Sequence, residues 1–263
     1  MPRVTVRQSA DAQVRALPES LVPGGGASIL AVYDGESEPL HLHRAIMVPG
    51  GSLTWKNSPF GHLIYVTSGS IRVGDRTLGE GSILVVEHTA SATAETIGAA
   101  ELYIFSLGES CVSKPSRAGG NVHCLAADDV PRCADFNGDG RVGGAVMADS
   151  SCPTCELWLH ESVLHAADFD VAVHSHNEDE IIVVTAGSIL LGNRECGPGT
   201  AIAVAHDTLY GFKAGTAGLT FINFRPTLPI YVPADRTQPV LNERDHYLAK
   251  MPAPLREILV PAL

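Results

Sequence analysis

Several things are scarce in this sequence. Aromatic residues make up only 6% of its 263 positions, and 18 Lys and Arg face 29 Asp and Glu, a formal charge of −11. A surface that acidic repels phosphate backbones and anionic lipid, which argues against nucleic acid and membrane partners. No apolar run reaches the roughly 20 residues of a membrane-spanning helix. The opening MPRVTVRQSADAQVR is polar and lacks the apolar stretch of a secretory signal, so a cytoplasmic protein is expected. Six cysteines are too few for a disulfide scaffold at this length. Five of them (Cys111, Cys124, Cys133, Cys152 and Cys155) nonetheless fall within 45 residues, with Cys196 apart.

What is abundant is punctuation. The chain holds 26 Gly and 17 Pro, and its apolar segments are short and rich in Val, Ile and Thr. That pattern predicts an all-β fold. The segment His62–Gly81, HLIYVTSGSIRVGDRTLGEG, aligns without gaps on Glu180–Gly199, EIIVVTAGSILLGNRECGPG, with 10 of 20 positions identical at an offset of 118. Such self-similarity indicates an internal duplication. In each copy a strand ends at Gly69 or Gly187, and a second runs into the tight-turn pairs Gly74-Asp75 or Gly192-Asn193. Two small antiparallel barrels are therefore expected. Residues 1–110 would form the first, 111–154 a Cys-rich linker, and 155–263 the second barrel with a C-terminal tail. The tail carries one amphipathic helical pattern near Glu243–Leu259.

The chemistry concentrates in the second copy, in VAVHSHNEDEIIVVTAG. His174 and His176 alternate around Ser175, so on a strand both imidazoles project from one face, and Glu180 follows on the next strand. Two neutral imidazoles and a carboxylate suit one borderline divalent transition metal: Fe, Mn, Ni, Cu, Zn or Co. Open coordination positions would then receive water, oxygen or a chelating substrate.

The pattern His174-x-His176-x3-Glu180-x6-Gly187 resembles the first signature motif of the cupin superfamily, and Gly197-Pro198-Gly199 through Phe212 is similar to the second. With the repeat, the chain resembles a bicupin over about two thirds of its length. The resemblance implies jelly-roll barrels and a metal site in the second one. Where the family's second motif usually supplies a third histidine, this chain has Tyr210, a fourth ligand or an acid/base partner; His206, four residues earlier, is the other candidate for that catalytic role. In the first copy the motif positions are Trp55, Asn57, His62 and Ala92, so the resemblance implies a barrel without a metal site. His88 and His206 match across the copies, as do His41 and His160, and a structural role accounts for both pairs.

The linker offers two further patterns. Asp135-x-Asn137-x-Asp139-Gly140 matches the first half of a calcium loop, but the twelfth position is Val146, where a carboxylate is needed. Cys152-Pro-Thr-Cys155, with Cys124, Cys133 and His123 upstream, suggests a zinc site (at Cys124, Cys133, Cys152 and Cys155), a redox or disulfide pair, or simple buried thiols.

As cupins include many chemistries, three functions remain in play. The first is a metal-dependent oxidoreductase of dioxygenase type, with iron the leading metal, acting on a small oxygen-bearing substrate that chelates it. The second is a redox-neutral lyase or isomerase, with Tyr210 as general acid or base. The third is a non-catalytic small-molecule-binding barrel. A homodimer is an open alternative to a monomer.

Overall fold

A computed structural model describes residues 3–35, 38–136, 138–149 and 152–250. Its strands are β1 (Val4–Gln8), β2 (Leu21–Pro23), β3 (Ala27–Asp34), β4 (Leu40–Met47), β5 (Ser52–Trp55), β6 (His62–Ser68), β7 (Ser70–Val73), β8 (Arg76–Gly79), β9 (Ile83–Val86), β10 (Ala92–Glu95), β11 (Ala100–Leu107) and β12 (Val122–Leu125). They continue with β13 (Arg132–Cys133), β14 (Val142–Ala148), β15 (Trp158–Leu164), β16 (Asp170–His176), β17 (Glu180–Leu191), β18 (Arg194–Cys196), β19 (Thr200–Val204), β20 (Tyr210–Arg225), β21 (Ile230–Pro233) and β22 (Leu241–Asn242). The helix α1 spans Glu243–Lys250; the rest of the amphipathic pattern, to Leu259, lies outside the described residues. No helix among the described residues is long and apolar enough to cross a membrane.

The chain divides into two compact units. One comprises Ser9–Val130 with Pro153–Cys155; the other comprises Met1–Gln8, Pro131–Cys152 and Glu156–Leu263. These limits cut across the expected 1–110, 111–154 and 155–263. The expected linker instead contributes three strands to the sheets, β12 on β9 in the first unit and β13–β14 on β15 in the second. The chain's opening strand goes to the second unit, because β1 pairs with β19.

Two antiparallel sheets form the first barrel, β2-β5-β10-β7-β8 and β12-β9-β6-β11-β4-β3. The strand period of two sets its core: Leu53 and Trp55, Ile64 and Val66, Leu84 and Val86, and Leu102 and Ile104 each point inward from one strand. The second barrel is built on one 11-stranded sheet with the path β1-β19-β17-β20-β15-β14-β13, while β16 pairs with β20 and β21. Ile182, Val184, Ile202, Val204, Phe212 and Phe221 fill it. Beside it Cys133, Phe136 and Trp158 form a small cluster on which Tyr247 of α1 packs.

The registers of the two barrels repeat. His62 pairs with Val86 as Glu180 pairs with Val204, and Trp55 pairs with Ala92 where His174 pairs with Tyr210. Register also re-matches the histidines. His43 lies opposite Ile104 and His160 opposite Asn223, while Ile64 and Ile182 flank those partners on the other side. The counterpart of His160 is therefore His43, and His41 answers to Trp158, not to His160 as the sequence suggested. The repeated Gly69 and Gly187 share one cause: both have positive φ, and a Cβ there would sit 2.0 Å from Ala99 O or 2.1 Å from Gly218 O. The calcium-like loop reads as a turn in which the Asp135 carboxylate accepts the Gly138 and Gly140 amides; Asn137 lies outside the described residues.

Candidate functional site

The second barrel holds a cavity of about 350 Å³. His174 and His176, at the end of β16, line it together with Tyr210 at the start of β20 and Arg225 at its end. Asn223, Tyr231, His160 and, from α1, Glu243 and Tyr247 add to the polar side, and Ile182, Phe212 and Phe221 stand on the apolar one. The His174 ring stacks on Tyr231 at 4.5 Å and leans on Tyr210 at 4.6 Å. Glu180 is buried but does not line the cavity. His206 stands apart from it as well: its half-exposed ring meets Asp207, and its amide donates to Asp179.

Arg225 organises the interior. Its Nε and Nη2 donate to Oε2 of Glu180 at 3.0 and 2.7 Å, its Nη1 donates to Oε2 of Glu243 at 2.7 Å, and its Nη2 donates to Nε2 of His176 at 2.9 Å. Asn223 adds a bond to the same Glu180 oxygen. A charge this deep is tolerable only when paired, and two carboxylates pair it. Burial alone would raise the Glu180 carboxyl, but Arg225, with His176, Tyr210 and Asn223, outweighs it and brings it down to about 2. Burial pushes Glu243 up, an effect Arg225 opposes. Burial, then Arg225, pulls His176 down to about 3, and burial lowers His174. Burial and the Glu180 charge push the Tyr210 phenol well up, so it stands as a neutral hydrogen-bond donor.

The donors fit a divalent ion in type. Nδ1 of His174 donates to Ala172 O at 2.7 Å and Nδ1 of His176 to Ile230 O at 3.2 Å, which leaves each Nε2 as the basic nitrogen. Backbone carbonyls commonly orient metal-ligating histidines in this way. Oε1 of Glu180 meets no donor in hydrogen-bond geometry. Yet the guanidinium, rather than a shared coordination point, links His176 to Glu180. Among the described residues, the group of His, Cys, Asp or Glu donors lying within 4.8 Å of one another is elsewhere, at Glu87, His123, Cys152 and Cys155.

That group corrects the expected cysteine tetrad. Cys124 and Cys133 do not join Cys152 and Cys155. Alternation on β12 sends His123 to Glu87 and Cys124 against the first core, while Cys133 is buried beside Phe136 and Trp158 in the second unit. All six cysteines are thiols. Sequence reading also missed Arg225, Asn223 and Glu243. The period-two trio Phe221, Asn223 and Arg225 was the available signal, since a strand that keeps an inward Arg must supply it with anions.

No protein-family model and no curated protein matches the sequence. Solved structures do. The YlbA protein of E. coli superposes with a TM-score of 0.60 at 12% identity, covering 85% of this chain and 90% of its own. An oxalate decarboxylase from Lactobacillus farciminis, solved with formate, gives 0.61 at 12%, covering 98% and 94%. A provisionally named dioxygenase from Nostoc punctiforme gives 0.60 at 13%, covering 92% and 87%.

Proposed function

We propose that this chain, a cupin by fold, is a metal-dependent enzyme that acts on a small oxygen-bearing acid in its second barrel. The observation that carries the reading is a cavity where two backbone-oriented imidazoles, a neutral phenol and a guanidinium converge, with an anionic carboxylate behind them. His174, His176 and Glu180 would hold the ion, which when bound supplies Lewis acidity toward a chelating oxygen and, if it is iron, oxygen activation.

The chain's own side chains supply the rest. Arg225 has more bonding capacity than one carboxylate needs, and Glu243 can retain it while it turns from His176 toward a substrate carboxylate. The Nη2 hydrogen released from His176 and the unused Nη1 hydrogen would then meet a substrate carboxylate, which favours anions over neutral sugars. Tyr210 Oη, kept protonated beside Glu180, donates to a developing oxyanion or delivers a proton to it. Ile182, Phe212 and Phe221 exclude water from that side.

Dioxygenase-type oxidation is the leading reaction. The redox-neutral lyase or isomerase is the second reading, favoured by the neutral Tyr210 phenol, which an acid/base mechanism needs and an oxygenase does not. The oxalate decarboxylase and dioxygenase among the structural neighbours keep both in view. The test is metal content by mass spectrometry for wild type and His174→Ala/His176→Ala, followed by oxygen uptake and product analysis with small hydroxy-, oxo- and dicarboxylic acids. Loss of a transition metal in the double variant supports the site. Oxygen consumption selects the first reaction, and turnover without it the second. A wild type that cannot be loaded with metal sinks the enzyme reading.

A further inference from the structure

A second polar constellation lies at the end of β9. Glu87 follows that strand with its side chain fully buried. His123, on β12, brings Nε2 to 2.6 Å from Glu87 Oε1, and the Thr154 hydroxyl donates to the same oxygen at 2.6 Å. The Asn121 amide donates to Oε2 at 2.9 Å. The Cys152–Cys155 turn is held in place from several directions: Asn121 Nδ2 bonds Thr154 Oγ1, the Gly119 amide bonds Thr154 O, and Arg117 bonds Cys155 O. As a result the donor atoms of Glu87, His123, Cys152 and Cys155 all lie within 4.8 Å of one another.

We infer that these four side chains form a zinc site that is structural and separate from the cavity chemistry. Two thiolates, an imidazole and a carboxylate make a complete tetrahedral set for a borderline-soft ion, and a closed set of four protein ligands leaves no position for substrate. The C-x-x-C spacing lets both sulfurs reach one ion from a single turn. Three charged donors about a divalent ion leave a small negative excess, which Arg117, on the carbonyl of Cys155, stands near enough to relieve. Binding releases the protons of both thiols and displaces the His123–Glu87 hydrogen bond, so the ion replaces contacts already present and does not need a new fold. Its effect is to fasten the Cys152–Cys155 turn to β9 and β12. A hard cation such as Mg²⁺ or Ca²⁺ is excluded by the thiolates.

Cobalt(II) replacement in the reduced, full-length protein tests this, since a thiolate-to-cobalt charge-transfer band reports sulfur ligation and the second-barrel donors contain no sulfur. The band should appear in wild type, persist in His174→Ala/His176→Ala, persist in Cys124→Ser and Cys133→Ser, and vanish in Cys152→Ser/Cys155→Ser. His123→Ala alters a half-exposed residue and should leave the fold intact while weakening zinc by more than about 100-fold, as changes one shell further out already cost 10–100-fold. No band in reduced wild type overturns the inference, and so does one that survives loss of Cys152 and Cys155 or depends on Cys124 or Cys133. A Cys152–Cys155 disulfide that forms in reductant despite excess zinc overturns it equally.

Discussion

At equivalent register positions the two barrels are furnished in opposite ways. The second has His174 opposite Tyr210, Glu180 on β17, and Asn223 and Arg225 along β20. The first has Trp55 opposite Ala92, His62 on β6, and Ile104 and Ser106 along β11. An indole fills the space that an imidazole and a phenol leave open, and Ser106, at the place of Arg225, introduces no charge that needs an anion. Asn57, at the remaining motif position, is exposed. The lesson is that one backbone supports either a sealed core or a polar cavity. The choice rests on a few inward positions and on whether the added charges are paired.

The comparison can be broken most forcefully at Arg225. Arg225→Met strands Glu180 and Glu243, and removing one partner of a buried ion pair costs about 3–5 kcal/mol, whereas Ser106→Ala should cost under about 1. Each barrel carries its own reporter, because the two tryptophans are Trp55 and Trp158, both fully buried. Denaturant unfolding of Trp158→Phe and Trp55→Phe backgrounds would therefore read the barrels separately, and equal losses from the Arg and Ser variants would erase the contrast. If His176 and Glu180 ligate an ion, Arg225→Met should also bind it more tightly, as its competitor for both groups is gone; equilibrium dialysis measures this.

Next in size, Tyr210→Phe should lower kcat about 100-fold or more if the phenol is a proton donor, with the loss steepening above neutral pH. An unchanged kcat would leave Tyr210 a wall of the cavity. The first barrel should then show its own acid sensitivity. Burial holds His43 at about 4 and His62 at about 3, so the native state refuses protons that the unfolded chain accepts below about 6.5. This stability is present above pH 6.5 and is lost as pH falls toward 4 and then 3, by on the order of a few kcal/mol, read from Trp55 emission during urea unfolding. His43→Phe should flatten that slope.

Smaller still, Gly69→Ala and Gly187→Ala should each cost about 1–3 kcal/mol, since both need a left-handed backbone and both face a carbonyl. Nearly equal losses would mean the two glycines meet the same backbone constraint in both barrels. The smallest effect expected is at His206, whose ring is outside the cavity: His206→Ala should leave kcat within about twofold.

How far the sequence could be read follows from the range of the interactions. The H-x-H-x3-E spacing and the repeated Gly-Ser-Ile segment were legible because strand periodicity is local, and the barrels and the place of His174, His176 and Tyr210 follow from it. Arg225 was not, because its meaning depends on Glu243, which reaches it only once α1 folds back over the barrel. The partners of Cys152 and Cys155 were misjudged for the same reason. Thiols looked like ligands, while Glu87 lies 65 residues before Cys152, and only alternation on β12 decides that His123 rather than its neighbour Cys124 turns to Glu87. The pairing of β1 with β19 carries no local signal at all.

That last pairing sets an order of events in time. Val4–Gln8 is translated some 190 residues ahead of its partner Thr200–Val204. At about 5–20 residues per second the leading strand waits roughly 10–40 s while the whole first barrel is made and can fold behind it. Until then Val4–Gln8 must stay extended and unclaimed, and β19, once made, has one open edge. A chain translated from Ser9 onward should therefore keep its first barrel intact and become a receptor for the missing strand. It would recapture a synthetic Arg3–Gln8 peptide by main-chain pairing, or, lacking one, take the strand of a neighbouring copy.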